Sequence, residues 1–230
     1  AWTSLRAEDQ APAPAPARLV PIAGGTFSLG SADGPDNERP VTRTTVASFQ
    51  LDDVETTVSA YRACVQAGRC TEPGSGAACN WGVEGRDQHP INCVDWSQAA
   101  AYCAWVKRRL PTEQEWEYAA RGADGRKYPW GKDAPDTRAC HGGNSEGGTC
   151  AVGSFRAGAS AFGVLDMVGN VWEWTASAAC PHGDLACDSP NKVLRGGSFL
   201  DKDRQFLRAT SRLSRPPTTR VNNFGLRCAK

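Results

Sequence analysis

The chain has 230 residues, 40% of them hydrophobic and 22% charged, which is enough for one sizeable globular core rather than a small stapled peptide. Its 26 Lys and Arg face 25 Asp and Glu, a formal net charge of +1, so no global basic field points to nucleic acid or to an anionic membrane surface. No apolar stretch approaches the roughly 20 residues that span a bilayer, and the chain opens at Ala1 without a hydrophobic leader, as a mature or trimmed product would.

In chain order, residues 1–18 carry the run Ala11-Pro12-Ala13-Pro14-Ala15-Pro16, which lacks apolar bulk and predicts an extended, semi-rigid spacer suited to a tether. Ordered structure is expected over 19–230. Leu19-Val20-Pro21-Ile22, Gly24-Gly25 and Thr26-Phe27-Ser28-Leu29-Gly30 read as strand, turn and strand, with the glycines marking a tight hairpin. A polar loop through Asp33 to Pro40 leads to Val41–Leu51, whose β-branched and apolar residues predict another strand or two. Three helices follow. The first spans about 58–65, with Thr57 as N-cap and Gly68 near its end; the second spans about 97–107, where Ala100, Cys103 and Ala104 recur at helical spacing. The third opens on the capping box Thr112-x-x-Glu115 after Pro111 and stops at Gly122, with Trp116 and Tyr118 read as core residues. Beyond Arg121, short apolar islands alternate with Gly, Pro, Asn and Asp, so much of that half is expected to be irregular yet ordered.

Ten cysteines do not fit a zinc site: no pair is spaced C-x-x-C, and only His89, His141 and His182 offer imidazoles. An even number of cysteines, mostly in Gly- and Pro-rich loops, favours disulfides and an oxidising, extracytoplasmic compartment. Cys64 with Cys70, Cys79 with Cys93, Cys140 with Cys150 and Cys180 with Cys187 are neighbours able to close local loops, which leaves Cys103 and Cys228. Spacing does not fix that connectivity.

A set of ordered motifs runs through the chain: Gly24-Gly25-Thr26-Phe27, Val54-Glu55-Thr56-Thr57, Asp95-Trp96, Ala101-Tyr102-Cys103-Ala104-Trp105, Arg109-Leu110-Pro111-Thr112-Glu113-Gln114-Glu115-Trp116, and Tyr128-Pro129-Trp130-Gly131. It closes with Asp166-Met167-Val168-Gly169-Asn170-Val171-Trp172-Glu173-Trp174, Arg195-Gly196-Gly197-Ser198-Phe199 and Asn223-Phe224-Gly225-Leu226-Arg227-Cys228. Over about residues 19–230 this set resembles the sulfatase-modifying factor, or formylglycine-generating enzyme, family. The resemblance implies an α+β fold of the C-type lectin type: a small twisted antiparallel sheet, flanking helices and long, ordered, disulfide-stapled loops. It also implies a Cys103–Cys228 disulfide. Periodicity alone gives only a loop-rich α+β chain.

The aerobic enzymes of that family hold Cu(I) on two thiolates between the Gly-Gly-Ser motif and the final Gly-x-Arg, because a soft ion needs soft sulfur. Here the interval from Phe199 to Arg227 has no cysteine, so formylglycine formation through that centre is not expected. Nor do three isolated histidines make the iron site of other relatives. The resemblance does imply structural calcium, held by the carboxylates of Asp166 and Glu173 and the carbonyls of Gly169 and Val171, a hard oxygen set of the kind Ca²⁺ takes. A second family calcium position would fall near residues 144–153, which lack matching carboxylates.

Trp172 and Ser198 match positions beside the family's active cleft. Ser198 would need a base to act as a nucleophile and is read as a turn and packing residue. Asp201, Asp203 and His182 are the titratable groups an alternative chemistry would use, while Arg204, Arg208, Arg212, Arg215 and Arg220 offer carboxylate or anion recognition along 199–224. The sequence therefore predicts a calcium-stabilised, non-catalytic extracytoplasmic module binding a protein, peptide or glycan. The alternatives are a copper-independent enzyme acting on a peptide or secondary metabolite, or a structural domain tethered through the Ala-Pro segment.

Overall fold

The computed structural model describes residues 16–184 and 186–230, so all but Pro16 of the Ala-Pro run lies outside the described residues. Strands β1 (Leu19–Ile22), β2 (Gly25–Leu29), β3 (Thr42–Val46) and β4 (Phe49–Asp52) follow the expected segments, but β1 and β2 do not form a hairpin. Instead β1 pairs with β4 and β2 with β3, and the two ladders keep one register from Leu19↔Asp52 to Leu29↔Thr42. The result is one long antiparallel ribbon interrupted where Gly24 meets the opposite strand. A Cβ on Gly24 would sit 2.7 Å from both Ser48 N and Val46 O, so this glycine serves a close backbone approach rather than a turn.

The helices begin where their caps dictate. Thr57 accepts the Ala60 amide at the start of α1 (Val58–Gln66), and Asp95 forms a capping box with Gln98 at the start of α2 (Trp96–Trp105). Thr112 and Glu115 form the expected capping box of α3 (Glu113–Arg121), which ends at Gly122 with φ 67°. A four-stranded sheet follows in the order β7-β6-β5-β8, built from β5 (Trp172–Ala178), β6 (Lys192–Arg195), β7 (Arg212–Arg215) and β8 (Phe224–Gly225). Its β5–β8 pair is parallel and the other pairs are antiparallel.

Two apolar clusters flank this sheet. Trp172 and Trp174 of β5 pack with Tyr61, Tyr102 and Leu226 against α1 and α2, while Trp116, Tyr118 and Ala119 of α3 pack against Ile22, Leu29 and Leu51 of the ribbon. Each fully buried large side chain contributes about 1.5–3 kcal/mol of apolar transfer free energy. Because successive strand residues face opposite ways, Glu173 points away from the Trp172 and Trp174 cluster and meets the Trp116 indole N–H at 2.7 Å. Four disulfides join the neighbouring pairs, and the fifth, Cys103–Cys228, is the one the family resemblance implies and closes a sequence separation of 125. No helix among the described residues is long and apolar enough to cross a membrane.

Candidate functional site

Two of the expected calcium residues, Asp166 and Glu173, contact a buried guanidinium. Arg227 donates from Nε and Nη2 to the two Glu173 oxygens, each at 2.7 Å, and also reaches the carbonyls of Asp52, Leu165 and Asp166. Asp166, held at φ 54°, accepts the Gly153 amide on Oδ2 at 2.5 Å. Glu55 is fully buried; its Oε2 accepts from the Asn170 side chain, and its Oε1 has no partner. Burial, followed by the nearby Asp166 and Glu173 charges, pushes the Glu55 carboxyl well above the usual range, and burial also raises that of Asp166.

Three carboxyl groups thus crowd around one buried guanidinium that pairs with Glu173 alone, with Arg156 adding a weaker offset at Asp166. Among the described residues no turn or loop amide donates to the Gly169 or Val171 carbonyl. This donor set fits a hard cation through Asp166 and the two carbonyls, whereas both Glu173 oxygens are already hydrogen-bonded. No three His, Cys, Asp or Glu side chains among the described residues group in metal-ligating geometry, so carbonyl oxygen would have to complete such a shell.

On the far side of β5 lies a cleft of about 470 Å³, lined by Trp172, Asp201, Phe206, Leu213, Arg215 and Asn223 among others. At its base the Trp172 indole N–H and the Ser198 hydroxyl both donate to Asp201 Oδ2, at 3.0 and 2.8 Å. Ser198 Oγ in turn accepts from Asn223 Nδ2 at 3.2 Å and Leu200 N at 3.3 Å, and its side chain is fully buried. With its proton donated and two bonds accepted, this hydroxyl has no free capacity to attack a ligand; it pins the 198–201 turn to the strand.

A sequence model of the sulfatase-modifying factor enzyme 1-like domain matches residues 6–230. The chain is 31% identical to the inactive C-alpha-formylglycine-generating enzyme 2 of Bos taurus, over 92% of this chain and 87% of that protein. It is also 31% identical to the formylglycine-generating enzyme of Streptomyces coelicolor, over 91% and 88%. The chain belongs to the formylglycine-generating enzyme family. The solved structure of PvdO from Pseudomonas aeruginosa superposes with a TM-score of 0.76 at 25% identity, covering 92% of this chain and 93% of that one. The fold is the C-type-lectin-like variant of this family, as its motifs imply.

Within that fold the expected arginine-rich face is largely self-neutralised. Arg204 pairs with Asp136, Arg208 with Glu38, Arg212 with Glu113 and Arg220 with Asp95, at 2.6–2.9 Å. Arg208 faces away from the cleft, towards Glu38 and Thr210. His182 lies beside Glu113, with its Nε2 3.8 Å from the carboxylate, while Asp203 caps the Gln205 amide. Neither lines the cleft. Every cysteine is in a disulfide, so no thiolate among the described residues is available to Cu(I).

Burial alone would raise the Glu113 carboxyl, but His182 and the Arg212 fork bring it down to about 2. At 3.8 Å the imidazole is beyond hydrogen-bond reach, so Arg212, at 2.7 Å, carries the larger share. A carboxylate with a depressed folded pKa stabilises fully above its unfolded value of about 4.3, and that contribution fades as pH falls towards 2. Arg212→Gln is therefore expected to lower the melting temperature at pH 7 and to flatten the loss of stability between pH 4.5 and 2. Parallel acid melting curves for variant and wild type would refute this.

Two functional relations are not legible in the sequence. Glu55 stands there only as the acid of Val54-Glu55-Thr56-Thr57, just ahead of a capped apolar helix. Asn223 holds Ser198 across 25 residues, and no local pattern announces that.

Proposed function

We propose that this domain is a non-catalytic, calcium-stabilised member of the family, acting outside the cytoplasm and binding a protein, peptide or glycan in the cleft beneath Phe206. The observation that carries this reading is Ser198: its hydroxyl, beneath the cleft, is buried and fully hydrogen-bonded to Asp201, Asn223 and Leu200. Five disulfides support an oxidising compartment, and the relative named as inactive shows that loss of activity occurs in the family. Copper-independent chemistry on a peptide or secondary metabolite is the second reading, favoured by the half-buried Asp201 carboxylate on the cleft wall.

Asp166 and the Gly169 and Val171 carbonyls would hold the calcium, with the remaining lone pair of Glu173 Oε1. The ion would tie the 166–173 loop together and supply charge that Arg227 alone does not. The test combines metal analysis with melting in calcium and in chelator. About one calcium per chain, no stoichiometric copper after copper loading under reducing conditions, and a melting temperature higher in calcium by roughly 5–10 °C are expected at saturation. Asp166→Asn keeps an acceptor for the Gly153 amide and is expected to erase that difference. Wild type melting identically in both buffers would dispose of the calcium site, and tight copper would overturn the non-catalytic reading.

A further inference from the structure

Of the five arginines along residues 199–224, four are held by carboxylates, and Arg215 is the exception. It is exposed at the end of β7, has no carboxylate among the described residues within ion-pair distance, and donates only from Nη1 to the Ser214 carbonyl at 2.8 Å. It also lines the Trp172 cleft. Two exposed large apolar side chains, Phe206 at 43% and Val221 at 37%, stand around that same cleft over a floor that includes Leu213 and Phe224. A free guanidinium beside an unfilled apolar seat is the complement of a ligand that pairs an apolar group with a carboxylate.

The remaining polar groups narrow the class of ligand. Asn222 and Thr219 offer mixed donors and acceptors, and Asp201 accepts from Trp172 and Ser198 through Oδ2 alone, which leaves Oδ1 able to accept from a ligand donor. β7 is an edge strand: its Arg212 carbonyl is capped by Asn37 Nδ2 at 2.6 Å, and its Ser214 carbonyl only by Arg215 itself. If Arg215 turns to an incoming carboxylate, the Ser214 carbonyl becomes an acceptor for an amide N–H. Resting on the binding-module reading above, we propose that the cleft recognises an acidic peptide segment. An apolar side chain of the segment sits among Phe206, Val221 and Trp172, the following carboxylate pairs with Arg215, and a backbone N–H meets Asp201 or Ser214.

The probes are the capped peptides Ac-Gly-Phe-Asp-NH2 and Ac-Gly-Phe-Asn-NH2, which differ by one charge at nearly constant shape. Titration would be followed by the chemical shifts of the Trp172 indole N–H and the Arg215 side chain. The aspartyl peptide is expected to bind about tenfold more tightly, an advantage that shrinks with added salt. Arg215→Gln, at an exposed position, should leave the melting temperature unchanged and abolish the preference, while Phe206→Ala should weaken both peptides alike. Equal binding by both peptides in the cleft, or a preference that survives Arg215→Gln, overturns acid recognition and leaves the binding-module reading standing. If neither peptide perturbs Trp172 at about 1 mM, the peptide assignment itself falls.

Discussion

Arg227→Met is expected to lower stability by about 3–5 kcal/mol, or roughly 6–20 °C in melting temperature for a domain of this size. The guanidinium is fully buried, makes a two-pronged pair with an equally buried Glu173, and satisfies three main-chain carbonyls from two separate parts of the chain. Methionine fills much of the same volume, so the loss is chiefly electrostatic. Removing the cation strands the buried Glu173 carboxylate beside Asp166 and Glu55, and leaves the Asp52, Leu165 and Asp166 carbonyls without this donor. Combining Arg227→Met with Glu173→Gln removes one of the stranded charges and is expected to recover part of the loss, because Gln still accepts from the Trp116 indole. A double-mutant cycle, read by denaturant unfolding, gives the coupling directly. Excess calcium should also soften the single variant's loss if the ion binds where proposed. Arg227→Met melting within about 2 °C of wild type would contradict the assigned role of the pair.

That pair also shows what the sequence could and could not convey. Local signals translated well: Thr112 and Glu115 started a helix because a cap and its reciprocal bond span only three residues, and Thr57 acted likewise. The Gly24-Gly25 dipeptide misled because a hairpin and a close approach use the same residue for the same reason, the missing Cβ. Only the register with residues 42–52 tells the two apart. The arginine face misled for a related reason. Glu113 lies 99 residues before Arg212, and Glu38 lies 170 before Arg208, so neither periodicity nor composition reveals that those charges are already matched. What was legible of the site came from ordered motifs, which placed Trp172, Ser198 and Glu173 near one another. Their division between a charged interior and an open cleft follows from β5, whose alternation sends Trp172 one way and Glu173 the other.

The Cys103–Cys228 disulfide gives the second large expected effect. It ties the last turn of α2 to the C-terminal segment over a sequence separation of 125, whereas Cys64–Cys70 closes a separation of only 6. In the chain-entropy account, a cross-link restricts the unfolded ensemble more as the loop grows, so the long link contributes about 4–5 kcal/mol and the short one about 2. Both Cys103 and Cys228 are fully buried in the same cluster as Trp174 and Leu226, so replacing both with Ala also trims a packed core. The C-terminal segment carries more than the sulfur. Cys228 donates its amide to Asp52 at 2.8 Å, Ala229 exchanges main-chain bonds with Arg109, and Lys230 bonds with Gln50. Releasing the link therefore loosens the strap that seats Arg227 between the ribbon and the sheet, and the damage should reach the acidic cluster. The Cys103→Ala, Cys228→Ala double variant is expected to melt roughly 10–20 °C below wild type under non-reducing conditions, well beyond the loss in a Cys64→Ala, Cys70→Ala control. Amide hydrogen exchange should show the largest loss of protection at residues 226–230 and at the Asp52 end of β4. Equal melting losses in the two variants would mean that loop length does not govern these staples, and unchanged exchange at 226–230 would mean that main-chain pairing alone holds the strap against the ribbon.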